Sequence, residues 1–180
     1  MIRLEQFERA DFAQLIEWID TPKFLFQWSG QTFSFPLTEQ QLDNYIKSSH
    51  TNPAQAHIYR VVLEETNEVI GHINLQMDWI NKSARIGKVL VGNRSLTGQG
   101  IGQLMLKKVL TIAFEELKLH RASLGVLEFN YAAMACYEKV GFVREGLIRE
   151  ARNMDNTFWG VWEMSMLEKE WLESKERELT

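Results

Sequence analysis

The sequence predicts a single α/β (α+β) domain over residues 1–180, built on a mostly antiparallel, twisted sheet of about seven strands with flanking helices. Three observations carry that prediction. Segments of period two and of helical period alternate in the order strand, helix, helix, three strands, helix, strand, helix, two strands. The 180 residues are 45% hydrophobic and 24% charged, enough for one sizeable core and hardly enough for two, and no linker-like stretch divides them. Gly98, Gly100 and Gly102 crowd into one strand-to-helix connection inside the central strand-helix-strand unit.

Each element has its own signal. Met1 to Phe7 alternates apolar and polar residues as a strand does. Asp11 then precedes Phe12, Leu15, Ile16 and Ile19 at helical spacing, and Thr21-Pro22 ends that helix because the residue before proline disfavours the α conformation. The aromatic stretch Phe24 to Phe35 shows no clean period. Thr38 with Gln41 has capping-box spacing and Leu37 with Leu42 has staple spacing, so a second helix starts there. His57 to Glu64 and Val69 to Met77 read as strands joined by a polar turn, and Asn81-Lys82-Ser83 turns into a third, Ala84 to Val91.

Ile101, Leu106, Val109, Leu110, Ala113, Phe114 and Leu117 then line one face of an amphipathic helix, with Lys107, Lys108, Glu115 and Glu116 opposite. Arg121 to Leu127 is a strand, and Tyr131 to Val140 a helix that Gly141 is placed to end. Phe142 to Arg149 and Phe158 to Met166 form a hairpin turning near Asn153–Asn156. The tail Glu168 to Glu178 reads as a solvated, charge-laced helix or frayed end.

Composition narrows the function classes. A formal net charge of −4 and a pI near 5.6 argue against a protein that coats nucleic acid or an acidic membrane through bulk charge. No apolar run reaches the length of a signal peptide or membrane span, and the lone Cys136 excludes an intramolecular disulfide, which fits a cytoplasmic protein. His50, His57, His72 and His120 show no metal-ligand spacing, so no metal is expected. Cys136 has no histidine at a recognisable distance and reads as a small buried residue rather than a nucleophile.

The glycine cluster points to a phosphate. Glycines let a backbone approach a ligand closely, and the free amides of a first helical turn favour an anion. Gln103-Leu104 follow the last glycine, so a Walker A loop fails. A dinucleotide fingerprint wants G-x-G-x-x-G in a first strand-helix unit, and here G-x-G-x-G arrives in mid-chain. A third pattern fits. Thr97-Gly98-Gln99-Gly100-Ile101-Gly102 resembles the acyl-CoA pyrophosphate loop of the GNAT superfamily of N-acetyltransferases, and Val126, Asn130, Ala133, Tyr137-Glu138-Lys139 and Gly141-Phe142 resemble that family's second signature. The opening Arg3-Leu4-Glu5-Gln6-Phe7 and the closing Trp159 to Met166 look most like the branch that includes ribosomal-protein N-terminal acetyltransferases.

The resemblance implies acetyl-CoA as cosubstrate, a primary amine as acceptor (a small molecule or a protein N-terminus) and direct attack on the thioester. By resemblance, Leu90 and Val91 border the thioester, the loop Thr97, Gly98, Gln99, Gly100, Ile101 and Gly102 holds the pyrophosphate, and Asn130 and Ala133 flank the pantetheine arm. Tyr137 is then the acid for the departing thiolate, because a phenol near pKa 10 keeps its proton at neutral pH. The family places arginine or glutamine at the head of the loop, where Thr97 stands here, so Arg94 or Gln99 is the candidate substitute. Glu128 and His72 are the nearest candidates for a base and read first as structural, so that role is left empty. Phe26 and Trp28 are candidates for the acceptor site, and a homodimer is compatible with the fold. Two rivals remain: a non-catalytic acyl-CoA-binding regulator on the same fold, and a dinucleotide-binding module.

Overall fold

The computed structural model describes residues 1–178. Its strands are β1 (Ile2–Gln6), β2 (Ala56–Leu63), β3 (Glu68–Asp78), β4 (Ser83–Val91), β5 (Arg121–Leu127), β6 (Val143–Met154) and β7 (Thr157–Leu167). Its α-helices are α1 (Phe12–Trp18), α2 (Pro22–Ser29), α3 (Glu39–Ile46), α4 (Ile101–Leu110), α5 (Tyr131–Val140) and α6 (Glu168–Glu178). The strands hydrogen-bond in the order β1-β2-β3-β4-β5-β7-β6, and the pairing is mixed because β4 and β5 run parallel. The chain packs as two compact units, Met1–Met77 with Gly87–Met105, and Asp78–Ile86 with the residues from Leu106 onward.

In the first unit β1 and β2 are antiparallel, with Ile2 opposite Leu63 and Gln6 opposite Tyr59, and β2 continues antiparallel to β3. The apolar positions of α1, α2 and α3 meet in one cluster: Phe12, Leu15, Leu25, Trp28 and Leu42 pack with Phe7, Leu37, Ile58 and Leu90. Leu37 and Leu42, at staple spacing, are both in it. Helix α2 corrects the expectation of an aperiodic aromatic stretch. Helix α1 ends at Trp18, short of Thr21, where the Ile19 amide donates to Ile16 O at 3.2 Å. Thr21 instead starts α2: its extended backbone lets Oγ1 accept from the Phe24 amide at 3.1 Å, and Pro22 occupies the first helical turn, where its missing N–H is no loss. At α3 only half of the expected box forms. The Gln41 amide donates to Thr38 Oγ1 at 3.4 Å, but the Gln41 side chain donates to the carbonyls of Ser34 and Pro36 instead of closing the box.

In the second unit β4 and β5 pair from Ser83 opposite Arg121 to Arg85 opposite Ser123. Strand β7 lies between β5 and β6, antiparallel to both, so the last two strands do not add to the sheet in chain order. The β6–β7 turn rests on Asp155 and Asn156, both left-handed at φ +50° and +61°, the pairing that a two-residue type I′ hairpin requires. The predicted helix through Leu117 is α-helical only to Leu110. It then widens, so that the Leu117 amide donates to the Ile112 carbonyl five residues back at 2.9 Å. The tail is also more than a solvated face: Trp171 of α6 is buried, and its indole N–H donates to Glu115 Oε1 at 2.9 Å.

Candidate functional site

The glycine loop is a run of short local bonds leading into α4. Asn93 Oδ1 accepts from the Ser95 amide at 3.1 Å, the Thr97 amide donates to Arg94 O at 3.2 Å, and the Gln99 amide to Leu96 O at 3.3 Å. Gly98 and Gly100 then take φ of +82° and +81°, a conformation that a side chain strains, and beyond the adjoining residues no atom lies within 4 Å of where a Cβ would stand on either. The first bond of α4 runs from the Leu104 amide to Gly100 O at 3.1 Å. The amides of Ile101, Gly102 and Gln103 precede it and have no acceptor inside the helix. An open, glycine-shaped backbone therefore ends on donors and the positive end of a helix dipole, which suits a pyrophosphate.

The candidates to replace the loop's missing arginine are both engaged locally. Arg94 Nη2 donates to Asp20 Oδ2 at 2.6 Å, and Gln99 Nε2 donates to Ser95 O at 2.9 Å. Thr97, Gly98 and Gln99 are exposed, whereas Ile101 is buried as the first core residue of α4.

Upstream, Leu90 is buried, and a Cβ on Gly71 would run into its carbonyl. The Gly92 amide donates to Ile70 O at 2.8 Å, so of the amides at this strand end Gly92's is already taken. In mid-strand Lys88 sits at φ +51°, a left-handed kink that re-aims a side chain. Its Nζ lies 5.1 Å from the Tyr45 ring centre and 5.7 Å from that of Phe33. Burial lowers its pKa to about 8. Tyr45 Oη is 3.1 Å from His72 Nε2, and Trp28 stacks on Phe33 and meets His72 edge-on. Burial, with a smaller contribution from the Lys88 charge, pushes His72 down to about 3, so it is a neutral member of an aromatic cluster and a poor reservoir for a substrate proton.

In the second unit the predicted residues share one helix. Asn130 Oδ1 caps α5 by accepting from the Ala133 amide at 3.2 Å, so the two bond to each other. Gly141, at φ +113°, closes the other end, with its amide on the carbonyls of Tyr137 and Glu138 at 3.2 and 3.0 Å. Tyr137, one turn before that cap, is half-buried beside Phe142, and burial pushes its pKa up, which keeps the phenol a proton carrier. The Cys136 thiol is likewise pushed up by burial, away from thiolate chemistry. Glu128 is structural: Oε1 accepts from the Gly160 amide at 2.7 Å, and the Glu128 amide returns to Gly160 O at 3.0 Å.

Leu90, Val91 and Thr97 through Gly102 thus lie on one strand-loop-helix path, and Asn130, Ala133 and Tyr137 on one helix. Sequence reasoning missed the set formed by Tyr45, His72 and Lys88. Its one visible signal is a lone charge entering the apolar run Val89-Leu90-Val91.

Comparison with known proteins gives four findings. Residues 2–143 match the model of a family described as an acetyltransferase (GNAT) domain. The chain is 25% identical over 178 residues to spermidine N(1)-acetyltransferase of Vibrio cholerae, covering 97% of this chain and 98% of that one. It is 31% identical over 102 residues to "Putative ribosomal N-acetyltransferase YdaF" of Bacillus subtilis, 56% of this chain and about half, 55%, of that protein's length. A crystal structure of the Vibrio cholerae spermidine enzyme with CoA and spermine superposes at a TM-score of 0.82 with 20% identity, over 95% of this chain and 98% of that one.

Proposed function

The chain belongs to the GNAT acetyltransferase family, and on that premise we propose that it is an acetyl-CoA-dependent N-acetyltransferase that acts on a primary amine by direct attack. The observation that carries it is the open loop at Gly98 and Gly100 leading into the free amides of α4, which fits a pyrophosphate. Acetyl-CoA supplies an activated acetyl thioester. The loop Thr97–Gly102 holds its pyrophosphate by backbone donors, Leu90 and Val91 border the thioester, and Asn130 and Ala133 flank the pantetheine arm. In the transfer the amine nitrogen bonds to the acetyl carbon as the C–S bond breaks. Tyr137 Oη then gives its proton to the departing sulfur, a role that suits a phenol held protonated by burial. With His72 neutral and buried and Glu128 engaged by a backbone amide, the amine loses its proton to solvent.

The acceptor is a small-molecule amine, which the spermidine-acetylating relative supports, or a protein N-terminus. We take all of residues 1–180 as one catalytic domain working in the cytoplasm; sedimentation equilibrium distinguishes a monomer from a homodimer. The central test is calorimetric titration with CoA followed by a thiol-release screen across amines and N-terminal peptides. Binding with turnover on at least one amine supports the proposal. Binding with thiol release at background for every amine supports the non-catalytic regulator, and no binding at millimolar CoA overturns both.

A further inference from the structure

Taking the acyltransferase activity proposed above as the basis, we infer that the cluster around Lys88 recognises the acceptor and selects amines that carry a carboxylate over polycations. Lys88 Nζ faces the rings of Phe33 and Tyr45, and among the described residues it has no carboxylate partner. Several other cations are paired: Arg60 with Glu5 and Asp11, Arg85 with Glu163, Arg121 with Glu145 and Lys175 with Glu115. A half-buried ammonium held by aromatic faces alone lacks an anion, and a ligand can supply one.

The polar atoms beside it agree. Four buried side-chain polar atoms among the described residues have no hydrogen-bond partner, and three of them, Trp28 Nε1, His72 Nδ1 and Asn74 Oδ1, belong to this neighbourhood. Trp28 and His72 are in ring contact at 5.7 Å, His72 and Tyr45 at 5.9 Å, and Asn74 Oδ1 stands 2.9 Å from where a Cβ on Gly87, next to Lys88, would be. The indole offers only a donor. When the Tyr45 hydroxyl donates to His72 Nε2, a neutral imidazole carries its proton on Nδ1. Ammonium, indole and imidazole then make a group of donors whose complement is an anionic oxygen, with Asn74 Oδ1 left to accept from a donor on the ligand. A polyamine brings only donors and positive charge, and it would meet the like charge of Lys88.

Steady-state kinetics on matched acceptors tests this. The acceptors are free amino acids, the corresponding amino-acid amides, and spermidine, with wild type, Lys88→Met and Lys88→Arg. The expected result is kcat/KM at least tenfold higher for acids than for amides or spermidine. That preference falls at least tenfold in Lys88→Met, mainly through KM, and returns in Lys88→Arg. CoA calorimetry and circular dichroism establish that each variant is folded. Should Lys88→Met fail to fold, wild type still decides: calorimetry with N-acetylglycine against N-acetylglycinamide must favour the acid. Turnover that is indifferent to the carboxylate, or a preference that survives in folded Lys88→Met, overturns the inference and leaves the acyltransferase activity standing. Absence of turnover with every amine overturns that activity and this inference together.

Discussion

Lys88 carries a charge into an aromatic cluster, and burial lowers its pKa from 10.5 to about 8. A lysine with a depressed native pKa binds its proton less well folded than unfolded. Between about pH 8 and 10.5 the unfolded chain holds more protons, so stability rises with pH across that window, and the burden of the buried charge is full below pH 8. Lys88→Met is therefore expected to be more stable than wild type at pH 7, with the gap closing toward pH 10.5 in urea unfolding curves. Tyr137 makes the complementary case for function. Tyr137→Phe should keep CoA affinity in calorimetry and lose about 100-fold or more in turnover, the size of a general-acid contribution; wild-type rates would remove the phenol from the chemistry. Legibility differs sharply at this scale. Gly98 and Gly100 were readable because their left-handed backbone selects for glycine itself. The meeting of His72 with Tyr45 and Lys88 was not, because it is made by tertiary packing between distant stretches of chain and leaves no spacing pattern.

Among the elements, α5 is where local code and candidate chemistry overlap most. Asn130 caps the helix that carries Tyr137, so Asn130→Ala should cost about 1 kcal/mol in denaturant unfolding, with Asn130→Asp retaining most of it. β3 has a different constraint. A methyl on Gly71 would strike the Leu90 carbonyl, a backbone atom that cannot swing aside, and Gly71→Ala should lose about 1–3 kcal/mol by the same measurement. Most elements were legible from period and punctuation. Helix α2 was not, since its eight residues are too few to establish a period, and Thr21-Pro22, read as a stop, is instead its N-terminal cap. The widened turn after Leu110 was also invisible, because the heptad-like apolar positions persist across it while the hydrogen bonds shift by one residue.

At the scale of the molecule, a ligand that binds only the native state stabilises it by mass action. CoA at about 100 times its Kd should add about 2.7 kcal/mol and raise the thermal midpoint by several degrees. Amide exchange should slow at Gly98–Gln103, while the Asp155-Asn156 turn stays unchanged; an unmoved glycine loop would remove it from the cosubstrate site. Fold class and family were legible here because the glycine loop and the Asn130–Phe142 signature follow one another in a fixed order. The acceptor was not, because it depends on side chains that the backbone pattern does not constrain. The placement of β7 between β5 and β6 has a consequence for how the protein is made. On the ribosome β5 is complete at Leu127, but its neighbour along that edge ends only at Leu167. At about 5–20 residues per second, the nascent chain carries an unpartnered β5 edge for a few seconds. During that interval β6, already synthesised, is the competing strand, and a chaperone that shields the edge until β7 emerges would raise the yield of correctly threaded protein.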